Sequence, residues 1–80
     1  MERTYAPPTK RSVLIAGHAT SISLEPLFWA ALEEAARERG APVNALVAEI
    51  DADRLHAVRP PNLTSAIRQW LFARQRGSPA

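Results

Sequence analysis

The chain has 80 residues, no cysteine and two histidines, and its formal net charge is +2. The absence of cysteine excludes disulfides and thiolate metal sites, and two histidines are too few for a fold built around a metal ion. A core in so short a chain is marginally stable by itself, so the hydrophobic fraction of 46% favours burial against a second subunit.

Neither membrane insertion nor export is indicated by the sequence. No apolar run approaches the roughly 18 residues that a membrane span needs. Residues 1–8 lack the apolar centre of a signal peptide, and the lack of cysteine fits a reducing compartment. We therefore expect a cytoplasmic protein with no membrane partner and no cofactor.

Basic residues concentrate at the two ends of the chain and acidic residues in the middle. Residues 59–76 contain four arginines and no acidic residue, and residues 1–20 contain three basic residues and one glutamate. Two-fold assembly would double each basic patch, which is compatible with a polyanion such as duplex DNA. An ordinary solvated surface can carry the same pattern, so charge alone does not decide between the two interpretations.

Two short runs near the N-terminus have the composition of strands. They follow a flexible arm expected over residues 1–9, which contain two consecutive prolines and no periodic pattern. Ser12–Ala16 is rich in β-branched residues, and Thr20–Leu24 alternates polar and apolar residues. Gly17 lies between the two runs.

The numbering of the apolar residues in these runs is informative. Val13 and Ile15 have odd numbers, whereas Ile22 and Leu24 have even numbers. Side chains alternate between faces along a strand, so one regular strand cannot place all four on the same side. A bulge or a turn is therefore required near Gly17, and we expect a break there, with the second run forming the better-defined strand.

Three helices are predicted after the strands. The first begins at Pro26 and ends at Gly40, the second begins at Pro42, and the third has Asn62 as its N-cap. Residues 57–61 form a linker and residues 77–80 a tail. Apolar residues recur at helical spacing in each helix: Phe28, Leu32 and Ala35; Val43, Leu46, Val47 and Ile50; and Leu63, Ala66, Ile67, Trp70 and Leu71.

This order predicts a mainly α fold that depends on a second copy of the chain. A short strand with two helices cannot close a core, and an isolated strand has two open edges. The simplest partner is the same strand of a second copy, paired antiparallel about a two-fold axis. We therefore expect a homodimer.

The phrase Thr20–Glu25, followed by a helix and then by Glu38–Val47, resembles the ribbon-helix-helix superfamily of the Arc and MetJ repressors. With Gly17–Ala19 and Asn62–Ala66 included, the similarity extends over residues 11–76. This longer stretch resembles a bacterial subgroup of poorly defined role. The resemblance implies one short strand pairing across a homodimer, two core helices and an extra C-terminal helix. It implies a domain over residues 10–76 that binds DNA and regulates transcription, for example as a repressor.

The resemblance also implies which residues meet DNA. The superfamily reads bases with outward residues of a ribbon in the major groove, and these correspond to Ala19, Ser21 and Ser23. Serine hydrogen-bonds base edges with little discrimination. The subgroup often has arginine at the position of Ala19 and a basic residue at that of Ser23. This chain therefore has few side chains suited to direct base readout.

Phosphate contacts are expected from residues beside the ribbon. Lys10 and Arg11 precede it, and the N-terminus of the second helix offers the backbone amides of Val43 and Asn44 together with the Asn44 side chain. His18 has two interpretations: a contact to the DNA backbone, or a buried hydrogen bond that fixes the bend. We favour the second of these.

The main alternative is a protein-interaction module or an antitoxin-like adaptor that docks a partner through residues 63–76. Arginines of that segment are also candidates for holding DNA. Asp53 and His56 lie one helical turn apart, but two ligands make a weak metal site. We expect no enzyme, because the chain lacks a nucleophile elbow, a phosphate-binding loop and a metal motif.

Overall fold

Two strands and three helices follow one another in the computed structural model, which describes residues 5–77. The start of the expected arm (1–4) and most of the expected tail (78–80) lie outside the described residues. The strands are β1 (Thr9–Ile15) and β2 (His18–Leu24), and the helices are α1 (Pro26–Arg39), α2 (Val43–Arg54) and α3 (Leu63–Gln75).

The two strands form an antiparallel hairpin within one chain. Their register runs from Thr9 opposite Leu24 to Ile15 opposite His18, which leaves a two-residue turn. Both turn residues have positive φ, 51° at Ala16 and 83° at Gly17, as in a type I′ turn, whose twist matches that of the strands. Among the described residues, Ala16 is the one non-glycine residue with positive φ, a conformation that costs an L-residue about 1–2 kcal/mol.

The prediction of one short strand was therefore wrong, because β1 is a complete strand that pairs with β2 in the same chain. Each strand has 7 residues, and the fold is a two-stranded antiparallel sheet with three helices. A two-residue turn explains why the buried residues have odd numbers in β1 and even numbers in β2. Residues that lie opposite each other in an antiparallel pair share a face, so odd-numbered β1 residues lie beside even-numbered β2 residues. Thr9, assigned to the flexible arm, begins β1.

A single core connects the hairpin to all three helices. The buried residues come from every element, and no polar side chain of the described residues is buried. β1 supplies the strand partner that was expected from a second subunit, and α3 adds a third helix, so one chain closes this core. The buried set is Val13, Ile22, Leu24, Trp29, Leu32, Ala35, Ala36, Leu46, Val47, Ile50, Ala66, Ile67 and Leu71.

The helix ends follow the local signals in the sequence. Gly40 ends α1 in the left-handed conformation, at φ 66°, and its N–H bonds to the carbonyls of Ala36 and Arg37. The Oδ1 of Asn62 accepts the Ser65 N–H at 2.8 Å and caps α3. These ends confirm the predicted stop of the first helix and the predicted start of the third.

An ion pair ties α3 to the junction between β2 and α1. The Nη2 and Nε of Arg68 donate to Oε1 of Glu25 at 2.8 and 3.2 Å. Hydrogen bonding from Arg68, the largest cause, holds the pKa of the Glu25 carboxyl below its usual value. Glu25 directly follows the last residue of β2, so this contact fixes α3 against the base of the hairpin.

Substitution of Ile22 and of its neighbour Ser21 should separate the two faces of β2. Ile22→Ala removes a side chain that is 2% exposed and should lower the free energy of unfolding by about 2–5 kcal/mol. Ser21→Ala, on the exposed face, should change it by less than about 0.5 kcal/mol. Urea unfolding followed by circular dichroism measures both values. A larger loss for Ser21→Ala would place β2 one residue out of register.

Loss of the Arg68 partner should appear as a pH effect at Glu25. In Arg68→Gln, we expect the pKa of Glu25 to rise towards its usual value, measured by NMR titration of the carboxyl carbon. The folded-state pKa of Glu25 is lowered, so the pair stabilises the fold above the unfolded-state pKa of about 4.3. This contribution disappears as the pH falls through the folded-state pKa.

Arg37→Gln is the matched control, because Arg37 lies on α1 and forms no ion pair within residues 5–77. It should leave the pKa of Glu25 unchanged. The assignment fails if Arg68→Gln also leaves this pKa unchanged.

Candidate nucleic-acid interface

One face of the hairpin points away from the core and carries no acidic side chain. Strand alternation places three residues of each strand on it, in opposite pairs. All are exposed except Ser23, which is half-buried. We call this surface the outer face; its pairs are Lys10 with Ser23, Ser12 with Ser21, and Leu14 with Ala19.

The outer face offers three hydroxyls and one cation. Ser21 and Ser23 lie on it, as their parity with the buried Ile22 and Leu24 requires. Serine donates and accepts hydrogen bonds, and a two-stranded ribbon has dimensions that the major groove of DNA admits. Ala19 lies on this face as well and offers only a methyl group.

Ser12 and Leu14 also lie on the outer face, and the sequence reasoning did not single them out. Leu14 is 53% exposed. Recognising a two-residue turn at Ala16–Gly17 would have been enough to find both residues, because that turn makes the even-numbered residues of β1 share a face with the odd-numbered residues of β2.

Arg11 lies on the opposite face of β1 from Lys10, and its side chain has partners within the chain. Its guanidinium carbon is 4.4 Å from the centroid of the Trp29 ring, and Nη2 bonds to Glu33 at 3.1 Å. The Trp29 Nε1 donates to the Thr9 carbonyl at 2.8 Å. These contacts join β1 to α1, and they make Arg11 less available to a phosphate than Lys10.

The N-terminus of α2 lies against the outer edge of β1. The Asn44 Oδ1 accepts the Leu14 N–H at 3.1 Å. The Pro42 carbonyl accepts the N–H groups of Ala45 and Leu46, and within residues 5–77 the backbone N–H groups of Val43 and Asn44 have no partner. Free amides at a helix N-terminus attract anions, and here they lie beside the hairpin.

His18 is exposed at the start of β2, opposite Ile15. The favoured interpretation, a buried hydrogen bond that fixes the bend, was wrong. The turn itself makes the bend through the positive φ angles of Ala16 and Gly17. The imidazole lies at the tip of the hairpin and is open to solvent.

Most arginines of the described residues are engaged in ion pairs. Arg68 and Arg74 of α3 pair with Glu25 and Glu38, so α3 presents less positive charge than its sequence indicates. The other pairs are Arg11 with Glu33, Arg39 with Glu49, and Arg54 with Asp51. Over residues 5–77 the cations outside these pairs are Lys10, Arg37, Arg59 and Arg76, of which Lys10 alone lies on the outer face.

Within residues 5–77, no third metal-ligating side chain joins Asp53 and His56. In the described part of the chain, no group of three or more histidine, cysteine, aspartate or glutamate side chains is arranged to hold a metal ion. Over the same residues, no helix combines the length and the apolar character needed to cross a membrane.

A family model described as a ribbon-helix-helix domain matches residues 8–74. No curated protein and no solved structure matches the chain. The match covers both strands and almost all of α3, and it agrees with the order of strands and helices described above. The chain therefore belongs to the ribbon-helix-helix domain family.

Proposed function

We propose that the protein is a homodimeric regulator of transcription that binds duplex DNA with the outer face of its hairpin. Domains of this family commonly bind DNA in transcription regulators and are typically non-enzymatic. The observation that carries the proposal is the outer face itself. It is an exposed ribbon surface with three hydroxyls, one lysine and no carboxylate.

The N-terminus of α2 supports the same orientation on DNA. The free amides of Val43 and Asn44 lie next to β1, as the bond from Leu14 to Asn44 indicates. With the hairpin in the major groove, these amides and Lys10 would bind phosphates at its margin. Short serine side chains and Ala19 give little base discrimination, so phosphate contacts dominate the affinity.

Dimer formation uses the open edge of β2. In a hairpin with a two-residue turn, Ala19, Ser21 and Ser23 direct their backbone N–H and C=O groups away from β1. Within residues 5–77 these groups have no hydrogen-bond partner. On the corresponding edge of β1, by contrast, the Leu14 N–H donates to the Asn44 side chain. Small uncharged residues leave the β2 edge unprotected against pairing, so a second copy of β2 completes it about a two-fold axis.

This arrangement also assigns the two strands different roles. Strands lie about 4.8 Å apart, so in a groove about 12 Å wide the central β2 pair faces the bases. Each β1 then lies towards the flanking phosphates. Lys10 belongs to β1, whereas Ser21 and Ser23 belong to β2.

The alternative, a partner protein docked on the apolar side of α3, has less support. Ala66, Ile67 and Leu71 are buried in the core of their own chain. DNA binding by α3 is also weakly supported, because Arg68 already pairs with Glu25 before α1 and Arg74 with Glu38 of α1.

Sedimentation should show a dimer of the 8.8 kDa chain, and Ser21→Pro should convert it to a monomer. Proline removes the outward N–H of Ser21, a change that edge strands tolerate. Ser12→Pro is the matched control on the opposite edge and should leave the dimer intact. Circular dichroism checks that both variants fold. A wild type that stays monomeric, or a dimer lost only in Ser12→Pro, contradicts the assigned edge.

Binding to duplex DNA should weaken steeply with salt, and Lys10→Ala should reduce the salt slope by about one unit per subunit for all sequences alike. Arg59→Ala, a matched loss of charge in the segment between α2 and α3, should not. Replacing Ser21 and Ser23 together by alanine should alter the preference between sequences with less loss of affinity. Fluorescence anisotropy on random and selected duplexes measures these effects. No binding to any duplex at low salt would refute the DNA-binding proposal.

A further inference from the structure

A second surface lies away from the outer face, between the first turn of α1 and the exposed side of α3. It is a groove of about 590 Å³, which we call the α1–α3 groove. The groove is wide open to solvent, and its volume lies within the roughly 300–1,000 Å³ of small-molecule sites. The lining residues are Phe28, Arg68, Gln69, Phe72, Ala73 and Arg76.

The groove presents aromatic surface that the fold does not cover. Phe72 is 61% exposed on a regular helix, and Phe28 is half-buried on α1. Leu27, adjacent to Phe28 in the chain, is 65% exposed. An apolar surface of this kind, held on two packed helices, favours an apolar ligand.

The charged groups of the groove are both cationic. The Arg76 guanidinium carbon lies 5.8 Å from the Phe72 ring centroid, and Arg76 has no ion-pair partner within residues 5–77. Arg68 lies 5.5 Å from the Phe28 ring centroid while it bonds to Glu25. The lining contains no acidic side chain, so the charge of the groove complements an anion.

We propose that the α1–α3 groove binds a small apolar carboxylate. Its hydrocarbon lies against Phe28 and Phe72, and its carboxylate accepts hydrogen bonds from Arg76. The unpaired Arg76 guanidinium beside the exposed Phe72 ring suits this amphiphilic anion, because a guanidinium binds carboxylates through paired donors. A second copy of the same groove is a poor occupant, since it would place Arg76 against another cation. The site is separate from the outer face and does not depend on DNA binding.

The test is an NMR titration of the full chain with dodecanoate, below the concentration at which the ligand forms micelles. We expect saturable shifts at residues 27–28 and 68–76. Arg76→Gln should weaken binding about tenfold, the loss expected for a charge-assisted hydrogen bond, and Phe72→Ala should weaken it by a similar factor. Both side chains are exposed on the surface, so these variants should retain the fold.

Three controls make the result decisive. Arg59→Gln removes one positive charge away from the groove and should leave the affinity unchanged. Dodecyltrimethylammonium has the same chain length and the opposite charge and should not bind. Equal binding of this cation, or shifts that do not saturate, would overturn the proposal. It would also be overturned if a Leu- and Glu-rich amphipathic peptide saturated the groove while dodecanoate did not, because the occupant would then be a protein.

Discussion

The two-residue turn at Ala16–Gly17 determines which side chains of the hairpin meet the core and which meet solvent. With this loop length, Val13 of β1 and Ile22 of β2 face the helices together. A loop one residue longer or shorter would shift β1 by one position and exchange its faces, so that Val13 would point outward and Lys10 towards the core. The cost of positive φ at Ala16 is small beside the loss of that buried surface.

The third helix changes what the rest of the chain can do. Ile67 and Leu71 of α3 complete the core, and this burial contributes far more to stability than exposed ion pairs, each worth about 0–1 kcal/mol. The pairs of Arg68 with Glu25 and of Arg74 with Glu38 instead orient the helix and use much of its positive charge. Two of the four arginines in residues 59–76 are therefore paired in the folded chain, and Lys10 is the cation of the outer face.

The helices and the inward side of β2 could be predicted because each has a local cause. Periodic apolar residues, Gly40 and Asn62 define the helices, and Ile22 and Leu24 alternate with serines. The extent of β1 could not be predicted from the sequence, since its first four residues are all exposed and show no alternation of burial. The stacking of Arg11 on Trp29 joins residues that are distant in sequence, so it required the fold, as did the pairing of Arg68 with Glu25.

The two tryptophans report on different parts of this architecture. Trp29 is 4% exposed beneath the hairpin, where its indole N–H bonds to the Thr9 carbonyl. Trp70 lies on α3, beside Ile50 and Asp53 of α2. Detachment of the hairpin alone would bring water to the first indole and leave the second unchanged, whereas global unfolding would expose both. The chain thus contains intrinsic fluorophores that distinguish local opening of the ribbon from cooperative loss of the helical core.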